Sequence, residues 1–154
     1  MSLAKDKPNS PKSSTYEDDV YAWACEQAQL LRLRRFDEVD LANVIEEIES
    51  VGRAERKGLK SSYRLVIVHL LKWQLQPQRR SRSWFNTIGR ERDGIENDEN
   101  DSASLAAQAV DIVTEVYSSA RRQAARETGL PLSALPATCP YSLDFLRDHD
   151  AMPE

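Results

Sequence analysis

Residues 69–84 read His69-Leu70-Leu71-Lys72-Trp73-Gln74-Leu75-Gln76-Pro77-Gln78-Arg79-Arg80-Ser81-Arg82-Ser83-Trp84, an apolar helix end, a proline turn and an arginine cluster in immediate succession. Pro77 lacks an N–H and restricts the residue before it, so a helix arriving from the amino side ends here. Working backward, no proline intervenes as far as Glu38, and the spacing predicts one helix over 38–76. At about 1.5 Å per residue that helix spans roughly 58 Å. Its first half is amphipathic through Leu41, Val44, Ile45, Ile48 and Val51, while Tyr63 to Leu71 is apolar nearly all round, as in a helix surrounded by others. Gly52 and Gly58 are the positions where it can bend.

Working outward, Phe36 before Asp37, with Asp40 and Leu41 following, fits a capped start with a hydrophobic staple. An earlier helix carries Tyr16, Val20, Trp23, Gln27, Leu30 and Leu31 behind a capping box made by Ser14 with Glu17 or Thr15 with Asp18. Beyond Pro77, Ser81 or Ser83 caps a third helix with Trp84, Ile88 and Ile95 on one stripe, which ends in the acidic, asparagine-rich run from Asp93 to Asp101. A fourth begins near Asp101 or Ser102, shows Leu105, Ala109, Ile112, Val113, Val116, Tyr117, Ala120 and Ala124, and stops at Gly129 before Pro131. Pro131, Pro136, Pro140 and Pro153 leave room for one short helix near Ser142 to Leu146, in a proline-rich strap held by Tyr141, Leu143 and Phe145. No segment alternates as a strand does. The expected fold is therefore all-α: an irregular, elongated bundle of four main helices around a long second one.

The chain has 154 residues, the size of one domain, so residues 16–154 are read as a single helical domain behind a disordered, serine- and proline-rich tail over 1–15. No apolar run is long enough to span a membrane, and no basic-then-apolar leader opens the chain. A soluble, cytoplasmic protein is expected. Cys25 and Cys139 belong to no Cys-x-x-Cys pair, which favours reduced thiols over a disulfide framework or a thiolate zinc site. The net charge of −4 argues against a general nucleic-acid binder. The charge is unevenly placed, however: 37–55 holds seven acids against one base, and 72–92 holds six bases against one acid.

Several motifs in order, Phe36-Asp37-Glu38-Val39-Asp40-Leu41, Glu46-Glu47-Ile48-Glu49-Ser50-Val51-Gly52, His69-Leu70-Leu71-Lys72-Trp73-Gln74, Arg80-Ser81-Arg82-Ser83-Trp84 and Glu127-Thr128-Gly129-Leu130-Pro131, resemble the bacterial domain of unknown function 29 family. The resemblance covers roughly Tyr16 to Pro153. It implies an all-helical bacterial domain and no particular activity, so it brings no catalytic residues with it.

Candidate site residues come from the residues themselves. Glu46, Glu47, Glu49 and Glu55 form an acidic face. Neither His69 nor His149 has a glutamate three residues before it, as a bundle di-metal site requires, so neither a metal nor a cofactor is expected. His69 lies on a stripe with Ile45, Ile48, Gly52, Glu55, Leu59, Ser62, Val66 and Trp73, where a hydrogen-bonded structural histidine is the leading reading. Arg64 and His69 have the Arg-x4-His spacing that resembles the helical HEPN-type ribonucleases. Five residues turn a helix through about 500°, however, which leaves these two side chains roughly 140° apart.

Arg79, Arg80 and Arg82, flanked by Trp73 and Trp84, have the composition used to hold phosphates or single-stranded nucleic acid. The competing reading is architectural: two tryptophans clamp a corner and the arginines pair with acids such as Glu127 or the acidic face of another subunit. The reading taken forward is a protein-interaction or self-associating module. The alternative is an HEPN-like or other nuclease, or a nucleic-acid binder, acting through the Arg79 to Arg82 corner.

Overall fold

In a computed structural model, residues 15–154 are described, and among them every regular element is a helix: α1 (Val20–Arg32), α2 (Leu41–Leu75), α3 (Arg82–Asp101), α4 (Ala103–Ala106), α5 (Ala109–Thr128) and α6 (Leu143–Arg147). Single turns of 3-10 helix occupy Phe36–Glu38, Pro77–Arg79 and Leu132–Ala134. The expected tail over 1–15 lies outside the described residues, apart from Thr15. The chain divides into two compact units, Met1–Val51 and Gly52–Glu154. The division falls inside α2, which continues through Gly52 and Gly58 without a break.

The first unit is a helical hairpin. Its start corrects the expected capping box: Thr15 and Asp18 bond each other in a turn, and Asp19 is the cap, accepting from the Ala22 amide at 3.0 Å. The chain leaves α1 through Arg34, whose positive φ of 56° lets the Arg35 amide reach back to the Leu30 carbonyl at 2.9 Å. The second correction is at Asp37, which caps nothing. Residues 36–38 form a 3-10 turn, α2 begins three residues later than expected, and Phe36 and Leu41 are both exposed.

The second unit holds the core. Leu59, Tyr63, Val66, Ile67, Val68, Leu70 and Leu71 of α2 are fully buried against Ile88 and Ile95 of α3, Ile112, Val116 and Ala120 of α5, and Leu135 and Leu146 beyond. Ser81 caps α3 through the Trp84 amide, and α3 comes so close to α2 that a Cβ at Gly94 would stand 3.3 Å from Ser62 Oγ. The expected fourth helix is interrupted at Ala107 and Gln108. Arg56 ties the new start down, donating to Gln108 Oε1 at 2.8 Å and pairing with Glu115 at 2.7 Å, and the break turns Ala109 and Ile112 inward. Arg56 and Lys60 hold the Glu115 carboxyl down to about 2. Gly129 ends α5 at φ 72°, the left-handed position that favours glycine.

Arg92 occupies a helical position with nothing apolar about it, yet it is 1% exposed. Its guanidinium donates to the carbonyls of Leu146, Ala151 and Phe145 at 3.0, 2.8 and 2.9 Å, binding the end of the chain to α3. Removing it leaves the carbonyls of Phe145, Leu146 and Ala151 without this donor. Arg92→Met is expected to cost about 2 to 4 kcal/mol in a urea titration followed by circular dichroism. A loss under about 1 kcal/mol would show that residues 145–151 stay docked without the arginine.

Candidate functional site

The arginine corner is built by Gln76, which leaves the helical conformation at φ −130° and puts Pro77 at the head of a 3-10 turn. Gln76 is buried and donates to the Thr128 carbonyl at 3.0 Å. Arg80 folds back, its Nε donating to the Trp73 carbonyl at 2.9 Å and its guanidinium lying 5.1 Å from the Trp73 ring. Trp73 in turn faces Phe85 at 6.3 Å. These groups, with Ser81, Arg82 and Asn86, line an open groove of about 680 Å3.

The expected pairing of the arginines with Glu127 is corrected. Lys72 takes that partner at 2.7 Å, and its ammonium sits 4.6 Å from the Trp84 ring. Burial raises the Glu127 carboxyl, and the hydrogen bonds from Lys72 and Gln123 more than offset it, leaving Glu127 below the usual glutamate range. The two tryptophans therefore serve different cations, Arg80 over Trp73 and Lys72 over Trp84. Arg79 and Arg82 are exposed and make no ion pair among the described residues.

His69 is half-buried, with Nδ1 2.8 Å from the Leu65 carbonyl one turn earlier. Burial pushes its imidazole below the usual histidine value, against the opposing pull of that hydrogen bond. Arg64 bonds Gln123 instead, so the Arg-x4-His pair is divided between two separate partners.

The acidic face is split by the unit division, with Glu46, Glu47 and Glu49 in the hairpin and Glu55 beyond it. Glu47 accepts from the Tyr16 hydroxyl at 2.6 Å. Close by, Asp40 accepts from Asn43 at 2.8 Å and from the Trp23 indole at 3.0 Å, bonds that hold its carboxyl below the usual range, while its amide donates to Gln27 at 2.7 Å. Thus α1 packs on the polar side of α2. Of the apolar stripe of α2, only Val44 is half-buried: Leu41, Ile45, Ile48 and Val51 are 63, 45, 68 and 65% exposed. Of the twelve exposed large apolar residues among the described ones, nine lie between Val20 and Val51.

One cluster was invisible to sequence spacing. Asp93 and Glu96 of α3 meet His149, fifty-odd residues on, with donor atoms within 4.8 Å of one another. Nε2 lies 3.0 Å from Glu96 and Nδ1 3.5 Å from Asp93. Each ring nitrogen faces its own carboxylate, so the three side chains are not turned to one point.

A family model described as a domain of unknown function, DUF29, matches residues 15–152. The chain belongs to the DUF29 family. No curated protein and no solved structure matches it. The family description carries no activity, so for this DUF29 chain the side chains must supply the argument. Among the described residues no helix is long and apolar enough to cross a membrane.

The environment of His69 makes its role measurable. Because the folded state disfavours the charged ring, the unfolded chain takes up the proton first, and stability present above about pH 6.5 is lost as the pH falls through the lower folded value. His69→Ala should cost about 1 to 3 kcal/mol at pH 7.5 in urea denaturation, with a smaller cost at pH 5.5. Equal losses at the two pH values would contradict this assignment.

Proposed function

We propose that this protein is a self-associating helical interaction module, in which the hairpin stripe of one copy docks on the arginine–tryptophan corner of a second. The observation that carries the reading is the inverted hairpin: polar groups inside, and Leu41, Ile45, Ile48 and Val51 outside, contiguous over about 15 Å of helix. Monomeric proteins rarely leave such a patch uncovered.

Charge selects the partner surface. Residues 16–51 hold ten acids against three bases, so two hairpins facing each other would repel, whereas 72–92 holds six bases against one acid. The corner also supplies what anchors interfaces: Trp73, a 53% exposed Phe85, and the arginines Arg79 and Arg82. On this reading residues 16–154 act as one domain, with the proline-rich carboxyl-terminal segment as a strap over the core of the second unit. The family resemblance and the two unpaired cysteines support a bacterial cytoplasmic setting. The same groove has the composition of a single-strand nucleic-acid platform, but the acidic balance of the chain weighs against phosphate polymers.

Sedimentation velocity separates these readings. The unmodified chain should dimerise at low salt and weaken toward 0.5 M salt, where screening shortens to about 4 Å. Ile45→Glu with Ile48→Glu, and Arg79→Glu with Arg82→Glu, should each give a folded monomer, since exposed substitutions change stability by only about 0.5 kcal/mol. Mixing the two variants restores one intact pair of surfaces and should regenerate a dimer. A hairpin-to-hairpin dimer would instead survive the arginine changes. A monomeric chain that binds oligonucleotides through Arg79 and Arg82 would overturn the proposal in favour of the nucleic-acid reading.

A further inference from the structure

A second concavity, of about 490 Å3, lies away from the corner, between α5 and the segment that follows it. Arg121, Arg122 and Ser118 line one side, and Leu132, Ala137 and Cys139 another. The size falls in the range of small-molecule sites. Two cations face it and no acidic side chain does, in a chain whose net charge is −4.

Those cations are unneutralised. Arg121 donates through Nη2 to the Leu132 and Leu135 carbonyls at 2.9 and 3.0 Å, and its buried Nε has no acceptor. Arg122 donates to Ser118 Oγ at 2.8 Å, which leaves the Ser118 hydroxyl proton free to be donated in turn. Neither arginine makes an ion pair among the described residues. Carbonyls orient a guanidinium without cancelling its charge, and a guanidinium held in place is suited to a planar carboxylate. The remaining wall is apolar: Leu132 and Ala137 bracket the floor beside the Tyr117 ring, whose hydroxyl is already committed to the Pro136 carbonyl at 2.6 Å. Burial raises the Cys139 thiol above its usual value, which keeps it neutral and part of that apolar wall.

We infer that this cavity is a binding site for a small organic carboxylate with an apolar body, its headgroup on Arg121, Arg122 and Ser118 and its body on Leu132, Ala137 and Tyr117. The inference does not depend on the self-association reading, which uses neither these residues nor this face.

Octanoate and octanol are the probes, and the two cysteines supply the readout. Cys139 lines the cavity, whereas Cys25 is exposed on α1 and serves as the internal control. Octanoate should slow maleimide labelling of Cys139 at least fivefold, followed by mass spectrometry of the intact chain, and leave Cys25 unchanged. Octanol should protect at least tenfold less well at equal concentration. Arg121→Gln with Arg122→Gln should abolish the difference between the two probes, and Ala137→Trp, which fills the cavity and leaves the arginines in place, should abolish protection by both. Equal protection by octanoate and octanol, no protection by either, or protection of both cysteines alike would each overturn the assignment.

Discussion

The constraint on which the second unit depends is that α2, from Leu59 to Leu71, has almost no face left for water. A helix that is apolar all round gains roughly 25 cal/mol for each Å2 it hides, but only if neighbours arrive from every side. Ile88 and Ile95, Ile112 and Val116, and Leu135 and Leu146 supply those neighbours from three different parts of the chain. Polar groups ring this core, and Tyr63 finds its partners at the edge. Burial and the Glu99 carboxylate both raise the Tyr63 hydroxyl, keeping it protonated, and it donates a hydrogen bond to Glu99 at 2.5 Å while Arg147 braces the same carboxylate at 2.9 Å.

The hairpin inverts that logic. Asp40 and Glu47, half-buried in the hairpin, need partners: the Trp23 indole donates to the Asp40 carboxylate, Gln27 accepts from the Asp40 amide and Tyr16 donates to Glu47, while Asn43 donates to Asp40 beside it. Side-chain hydrogen bonds of this kind fix register well but hide little apolar area, so the first unit leaves its hydrophobic residues unspent. Natural sequences break the usual consistency between pattern and burial chiefly where a surface has work to do. That is why the stripe, rather than any catalytic-looking residue, carries the functional reading.

Among the cations, what separates structural from available ones is neutralisation. Lys72 has Glu127, Arg56 has Glu115, and Arg147 has Glu99. Arg92 is buried and committed to the carbonyls of Phe145, Leu146 and Ala151. Arg79, Arg82, Arg121 and Arg122 have no such carboxylate, and Arg82 on one side and Arg121 with Arg122 on the other line concavities. Neutral partners and exposure leave their charge for something outside the chain to answer.

Much of the architecture was legible in order along the chain. Pro77 ended α2, Ser81 capped α3 and Gly129 closed α5, because these are local effects of a missing N–H, a side-chain oxygen or a positive φ. The buried run around Ile67 was equally plain, since an apolar residue at every helical angle has one physical remedy. Less local features were misread. Asp19 and not Thr15 caps α1, and Asp37 is a 3-10 residue. At the break, Gln108 is bonded by Arg56, fifty-two residues away. Arg92 sits at a helical position that looks solvated, and only the return of residues 145–151 to α3 makes it a core residue. The candidate sites divide along the same line. Sequence alone determined which residues are apolar, acidic or basic, and therefore that α2 would have an apolar stripe and the corner a positive charge. Only the tertiary structure decided which side of that helix α1 would cover, because amphipathicity names two faces and packing chooses between them.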